Sequence, residues 1–198
     1  MTPKIIMLSG FKRSGKNFTA NLIKEQLEAY GKSVTLLAFA APMKRIIAST
    51  FGISLEDLER FKNEPEQFKV QMRGVDQSAE YIGDTNFRSI LQKFGNEAMK
   101  PEFGGDVWAQ LADTKIREAG TDYIVITDYR FDLEYDYLKK KYPDITAVYV
   151  HNVNATSDDT HSSESLPNKH PDAILDNSNQ DASLNSEVTK LLAVLNVN

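Results

Sequence analysis

The chain contains no cysteine, which removes disulfides, thiolate nucleophiles and cysteine-held zinc from consideration. It also lacks a long apolar run. Nothing approaches the ~20 residues of a membrane-spanning helix, and the run at Ile5–Leu8 is too short for the core of a secretion signal. A soluble, cytoplasmic protein with no membrane partner is the expectation. Basic charge is in deficit: 23 Lys and Arg face 28 Asp and Glu, for a net charge of −5. A general nucleic-acid binder needs a broad basic face, so nucleic acid is not an expected partner. Where basic residues do cluster, the reason is local.

What is present points first to an anion. Ile5-Ile6-Met7-Leu8 reads as a buried, central strand because its apolar residues run on without alternation. It leads into Ser9-Gly10-Phe11-Lys12-Arg13-Ser14-Gly15-Lys16-Asn17. Gly10 and Gly15 let backbone amides converge on a phosphate, Lys16 adds a mobile positive charge, and the helix that follows contributes its positive end. Gly10, Lys12, Arg13, Ser14, Gly15, Lys16 and Asn17 are therefore the candidate nucleotide-binding residues. The match to GxxxxGK[ST] is incomplete, since Asn17 stands where a hydroxyl usually meets Mg²⁺. That weakens direct metal ligation without touching phosphate binding, and no protein-built metal site is assigned.

The 198 residues suit one α/β domain with insertions. Phe18, Leu22, Ile23 and Leu27 recur at helical spacing from Lys16 to Tyr30, with Gly31 at the stop. Val34–Phe39 repeats the strand signal and completes a β-α-β unit of a parallel sheet. Pro42 opens a further helix that carries Lys44 and Arg45. Ligands of open parallel sheets lie beyond the carboxyl ends of strands, so these cations either face the phosphate crevice or are simply solvated.

Residues 52–106 read as a charged insertion, with a short helix capped by Ser54, and 74–85 read as loop. The stretch is either a cover over a substrate or a surface excursion. Within it, Phe87–Ala98 predicts one helix with Arg88, Gln92 and Gly95 on one side and Ile90, Leu91, Phe94 and Ala98 on the packing side. A guanidinium forks onto phosphate, an amide pairs with a base edge, and glycine allows close approach, although an exposed polar face has the same pattern. Asp106 caps a helix running to Ala119. Its Trp108, the single tryptophan, either stacks on a base or fills core.

Tyr123–Asp128 is a second apolar strand that ends in an acid. Asp128 at its carboxyl end is placed to hold Mg²⁺ through water or to bind a substrate hydroxyl. Arg130 is a candidate for neutralising charge during phosphoryl transfer, with a structural Asp–Arg pair as the alternative. A helix with Phe131, Leu133, Tyr137 and Leu138 follows, then a strand at Ile145–Val150. Residues 151–171 form a long polar loop containing His161-Ser162-Ser163-Glu164. A short strand at Ala173–Leu175 and a helix capped by Ser183 close the chain.

Several of these stretches together resemble the deoxynucleoside monophosphate kinases of tailed bacteriophages. They are Phe39-Ala-Ala-Pro-Met-Lys44, Arg88-Ser-Ile-Leu-Gln-Lys-Phe-Gly-Asn-Glu97, Phe103-Gly-Gly-Asp-Val-Trp108, Asp128-Tyr-Arg-Phe131 and His161-Ser-Ser-Glu164. The resemblance implies a P-loop NTPase three-layer sandwich with a mainly parallel sheet and mobile helical substrate-binding insertions. It implies that Lys44, Arg88, Gly95, Asn96, Trp108 and Asp128 bind substrate, with Arg88 on the 5′-phosphate and Trp108 against the nucleoside. Lys12, Arg13, Lys16 and Arg130 would manage the phosphates of ATP. Departures occur at Asn17-Phe18, where the family has Asp-Thr and this chain's Thr19 is displaced by one, at Asn96, where it favours Thr, and at Leu133 in place of a frequent Asn.

The expected reaction is transfer of the γ-phosphoryl group of Mg-ATP to a deoxynucleoside monophosphate, with Lys16, Arg88 and Arg130 as the catalytic cations and host cytoplasm as the location if the chain is phage-encoded. The acceptor phosphate is already a nucleophile, so alignment and charge neutralisation suffice. A homodimer is compatible with this reading. The rivals are a kinase of another small acceptor, such as dephospho-coenzyme A, and an ATP-binding switch that only hydrolyses.

Overall fold

A computed structural model of the chain describes residues 2–63, 86–155, 171–178 and 182–197. In chain order the elements are β1 (Lys4–Ser9), α1 (Lys16–Ala29), β2 (Val34–Leu37), α2 (Ala41–Phe51), α3 (Leu55–Asn63), α4 (Phe87–Gln92), a π-helical stretch (Lys93–Met99), α5 (Lys100–Phe103), α6 (Val107–Ala119), β3 (Tyr123–Ile126), α7 (Asp132–Lys141), β4 (Ile145–His151), β5 (Ala173–Asp176) and α8 (Ala182–Val194). The backbone divides into two compact units, Met1–Phe39 with Trp108–Asn198, and Ala40–Val107.

The first unit is built on a parallel sheet of order β2-β3-β1-β4-β5. β1 lies at its centre because Ile5 to Leu8 are apolar on both faces, and every one of them is buried. On one face Ile6, Leu8, Val125, Val148 and Val150 pack with Ala20, Ile23 and Leu27 of α1 and Leu184, Val188 and Leu192 of α8. Alternation along the strands turns Ile5, Met7, Ile124 and Ile126 to the other face. α6 and α7 are tied to each other by a buried acid: Asp113 accepts hydrogen bonds from Tyr142 Oη at 2.7 Å and Lys141 Nζ at 2.6 Å. This is an α/β protein built on a five-stranded parallel sheet.

The second unit has its own small core of Ile47, Ala48, Leu58, Phe87 and Leu91. Phe87 is at its centre, edge-on to Phe51 at 5.2 Å and stacked on Phe61 at 6.0 Å. Ser54 caps α3 as expected, its Oγ accepting from Asp57 N at 2.9 Å.

Differences from the sequence reading have local causes. β2 stops at Leu37 because the amide of Phe39 leaves the ladder and donates to the side chain of Asp128 at 2.7 Å. Phe18 and Leu133 are not core; they are 55 and 49 % exposed. In α1 the inward stripe is Thr19, Ala20, Ile23 and Leu27 instead. The predicted single helix Phe87–Ala98 is interrupted after Gln92 by the π-helical stretch, whose wider turn moves Ala98 off the packing side and Gly95 into a buried position. Ser183 lies inside α8 rather than capping it.

Candidate active site

The turn from β1 to α1 is shaped by two glycines that nothing else can replace. Gly10 has φ +146°, and a Cβ there would lie 2.5 Å from the Val150 carbonyl and 2.6 Å from Ser14 Oγ. Gly15 has φ +92°, with a Cβ only 2.0 Å from Asn177 Nδ2. Arg13, at φ +63°, supplies a further left-handed residue between them. Ser14 N donates to Phe11 O at 3.1 Å and closes the bend. Lys16 folds back over it, its Nζ donating to the carbonyls of Gly10 and Phe11, both at 2.8 Å.

The start of α1 is open to an anion. No side chain caps it and no acid stands in its first turn, so its amides and dipole favour a negative ligand. Lys12, Arg13 and Asn17 are exposed beside it, while Ser14 is buried. Thr19 does not replace the missing hydroxyl at position 17. It is buried, and its Oγ1 donates to Gly15 O at 3.1 Å inside the helix.

The segment after β3 runs alongside, because Tyr129 N donates to Leu8 O at 3.1 Å and continues the pairing of β3 with β1. Half-buried Asp128 accepts from Phe39 N through Oδ1. Half-buried Arg130 is held through its backbone: Glu134 Oε2 takes the amides of Arg130 at 3.0 Å and Phe131 at 3.1 Å. This places the Arg130 main chain at the entry to α7. Between them Tyr129 is buried, with its hydroxyl unpartnered among the described residues. Burial and the charges of Asp132 and Glu134 push the phenol well above its usual range.

In the second unit the cations gather round one carboxylate. Glu59 on α3 pairs with Lys44 of α2 at 2.5 Å and with Lys62 one turn along α3. Burial raises the Glu59 carboxyl, but the two lysines outweigh it and hold it below its usual value. Burial, the charge of Lys44 and that of Arg88 pull Lys62 below the usual lysine range. Arg88 and Gln92 are half-buried on α4, and Gly95 and Asn96 lie in the π-helical stretch. Lys44, Lys62 and Arg88 thus share one electrostatic neighbourhood.

Trp108 opens α6 and is only 6 % exposed. His161–Glu164 and the loop at 74–85 lie outside the described residues, as does most of the polar stretch 151–171. Among the described residues, no helix is long and apolar enough to cross a membrane and no group of three acids or histidines could hold a metal.

Three residues escaped the sequence reading. Glu59 and Lys62 carry a signal that was available, the three-residue spacing of opposite charges on a helix. Asn177 carries none, because its partner, Ser14, is 163 residues away.

Comparison with known proteins adds a family match and a fold match. The family model described as deoxynucleotide monophosphate kinase matches residues 55–188. No curated protein sequence matches. Among solved structures, the Mycobacterium tuberculosis APS kinase CysC in complex with AMPPNP and APS aligns with TM-score 0.50 at 14% identity, covering 98% of each chain. A protein of Chloroflexus aurantiacus j-10-fl aligns with TM-score 0.52 at 16% identity, covering 98% of this chain and 97% of that one. Identities this low speak for the fold alone.

Proposed function

The chain belongs to the deoxynucleotide monophosphate kinase family, and on that premise we propose how its residues divide the work of an ATP-dependent phosphotransferase that forms a deoxynucleoside diphosphate and ADP. The observation that carries the donor half is Lys16 closed over the Gly10–Gly15 loop, with an uncapped helix behind it. Gly10, Lys12, Arg13, Ser14, Gly15, Lys16 and Asn17 bind the phosphates of ATP, and the Lys16 ammonium leaves the two carbonyls for the phosphate oxygens. Arg130, from the segment between β3 and α7, neutralises charge on the transferring group.

The acceptor-binding residues are those expected from the sequence. Lys44 and Arg88 bind the 5′-phosphate, and Lys62 joins them through the carboxylate of Glu59 that it shares with Lys44. Gln92, Gly95 and Asn96 meet the nucleoside, with Asp128 toward the sugar hydroxyl or the metal and Trp108 against the base. No covalent intermediate is required, since the acceptor oxygen attacks directly and the ADP oxygen leaves.

Mg²⁺ fits these donors in a limited way. This ion keeps water and nucleotide oxygens and takes few protein carboxylates. Asp128 offers one at the end of β3, while Asn17 is exposed and Thr19 is engaged within α1. Asp128 would hold it through water, and the bound ion would neutralise phosphate charge.

The test is ADP release measured with each deoxynucleoside and nucleoside monophosphate, and with dephospho-coenzyme A. ADP formation that depends on a deoxynucleoside monophosphate, and falls by two or more orders of magnitude in Lys16→Ala, is expected. ADP release without any acceptor identifies a hydrolytic switch instead, and near-normal turnover in Lys16→Ala refutes the donor assignment.

A further inference from the structure

We propose that Asn177, at the end of the edge strand β5, is a positioning residue for the phosphate loop. The inference rests on the reading of Gly10–Lys16 as the ATP site and extends it to the opposite end of the sequence. Asn177 Nδ2 donates to the carbonyl of Ser14 at 2.9 Å. A planar trans peptide points its C=O and its N–H in opposite directions, so fixing the Ser14 carbonyl on Asn177 turns the Gly15 amide away from it. Gly15 is the N-cap of α1, where the anion-binding amides start. One side-chain hydrogen bond thereby sets the plane of the peptide on which the cradle depends.

Asn177 is itself held on several sides. Its amide donates to His151 O at 2.8 Å, extending the pairing of β4 with β5, and its carbonyl accepts from Asn152 Nδ2 at 2.8 Å. The Nδ2 end of the side chain abuts Gly15, leaving no room for a Cβ there. The residue is 2 % exposed, so the amide cannot swing out into solvent.

A second observation argues that this amide is kept for more than packing. Its Oδ1 is buried without a partner among the described residues, and the hydroxyl of Ser14 beside it is in the same condition. An unmet buried acceptor is costly, and an apolar residue of similar size would avoid that cost. What an apolar residue cannot do is hold the Ser14 carbonyl. The two unmet atoms also lie at the loop where nucleotide and its water arrive, which is where such defects tolerate a functional explanation.

Asn177→Ala and the near-isosteric Asn177→Asp, which cannot donate to Ser14, test this in the full-length enzyme. ATP is varied at saturating deoxynucleoside monophosphate, and the monophosphate is then varied at saturating ATP. The expected result is a KM for ATP raised about tenfold, the factor carried by one lost hydrogen bond, with kcat lowered and the KM for the monophosphate unchanged. A purely structural role would instead lower the thermal midpoint and leave both KM values within twofold of the wild type, and that result overturns the proposal. If the Ala variant does not fold, the Asp variant carries the measurement, with titration of AMPPNP as its binding readout. Lys16→Ala run in parallel separates the two claims. Loss of turnover there with unaltered Asn177 variants refutes only the role of Asn177, whereas normal turnover in Lys16→Ala refutes the ATP site itself.

Discussion

Gly15 and Gly31 both have positive φ, but only one of them is crowded. At Gly31, φ is +71° and a Cβ would meet nothing within 4 Å, whereas at Gly15 it would strike the amide of Asn177. Gly31→Ala is expected to cost about 1 kcal/mol, the penalty of a left-handed alanine, and to leave ATP binding intact. Gly15→Ala should cost roughly 1–3 kcal/mol more, as expected of overpacking, and abolish ATP binding; urea unfolding and nucleotide titration measure both. Lys62 offers a test by pH. Its ammonium loses its proton below the ordinary lysine value of 10.5, and phosphate binding needs the charged form. The KM for the monophosphate should therefore begin to rise at a lower pH than an unperturbed lysine would dictate, while the KM for ATP does not follow it. In Lys62→Met that rise should vanish and the neutral-pH KM should be about tenfold higher; an unchanged KM removes Lys62 from the acceptor site. The sequence exposed the glycines and Lys16 because a phosphate cradle has a fixed local spacing, but an amide arriving from β5 has no spacing to read.

At the scale of elements, α6 and α7 depend on one acid. Asp113 has a side chain 3 % exposed to solvent and receives Lys141, Tyr142 and the more distant Arg117. Burial raises its carboxyl, yet these partners hold it below its ordinary 3.8. Burial and the same hydrogen bond push the Tyr142 phenol up to about 12. Because the folded-state value is depressed, the stabilisation is complete above the unfolded value and is lost as pH falls through the folded one. Asp113→Ala strands the Tyr142 hydroxyl and should cost about 2 kcal/mol at neutral pH. The difference between wild type and variant should shrink below about pH 4, and urea titrations at pH 7 and pH 3 measure it. The helices were legible from their apolar spacing, but this role for Asp113 was not: an acid within an amphipathic pattern reads as solvent-facing. The π-helical stretch was also hidden, because Lys93–Met99 is compatible with α-helical periodicity and only the backbone hydrogen bonding distinguishes the two.

For the molecule as a whole, a parallel sheet with β1 at its centre follows from an apolar run too continuous to face water on either side, and the phosphate loop follows from its motif. The cation cluster in the second unit was only half visible, because Lys44 and Arg88 meet Lys62 through folding rather than through sequence. Binding of ATP to the native state alone should stabilise the entire chain by about 2.7 kcal/mol at a hundred times the dissociation constant, a rise of roughly 5–10 °C in thermal midpoint. Lys16→Ala should abolish most of that rise, and scanning fluorimetry with and without ATP measures it. The 163-residue separation of Ser14 and Asn177 has a consequence in time. A ribosome makes the phosphate loop long before the side chain that orients it. A nascent chain therefore cannot grip ATP through a fully formed loop until nearly all of the sheet has been synthesised, and nucleotide cannot serve as an early folding template for it.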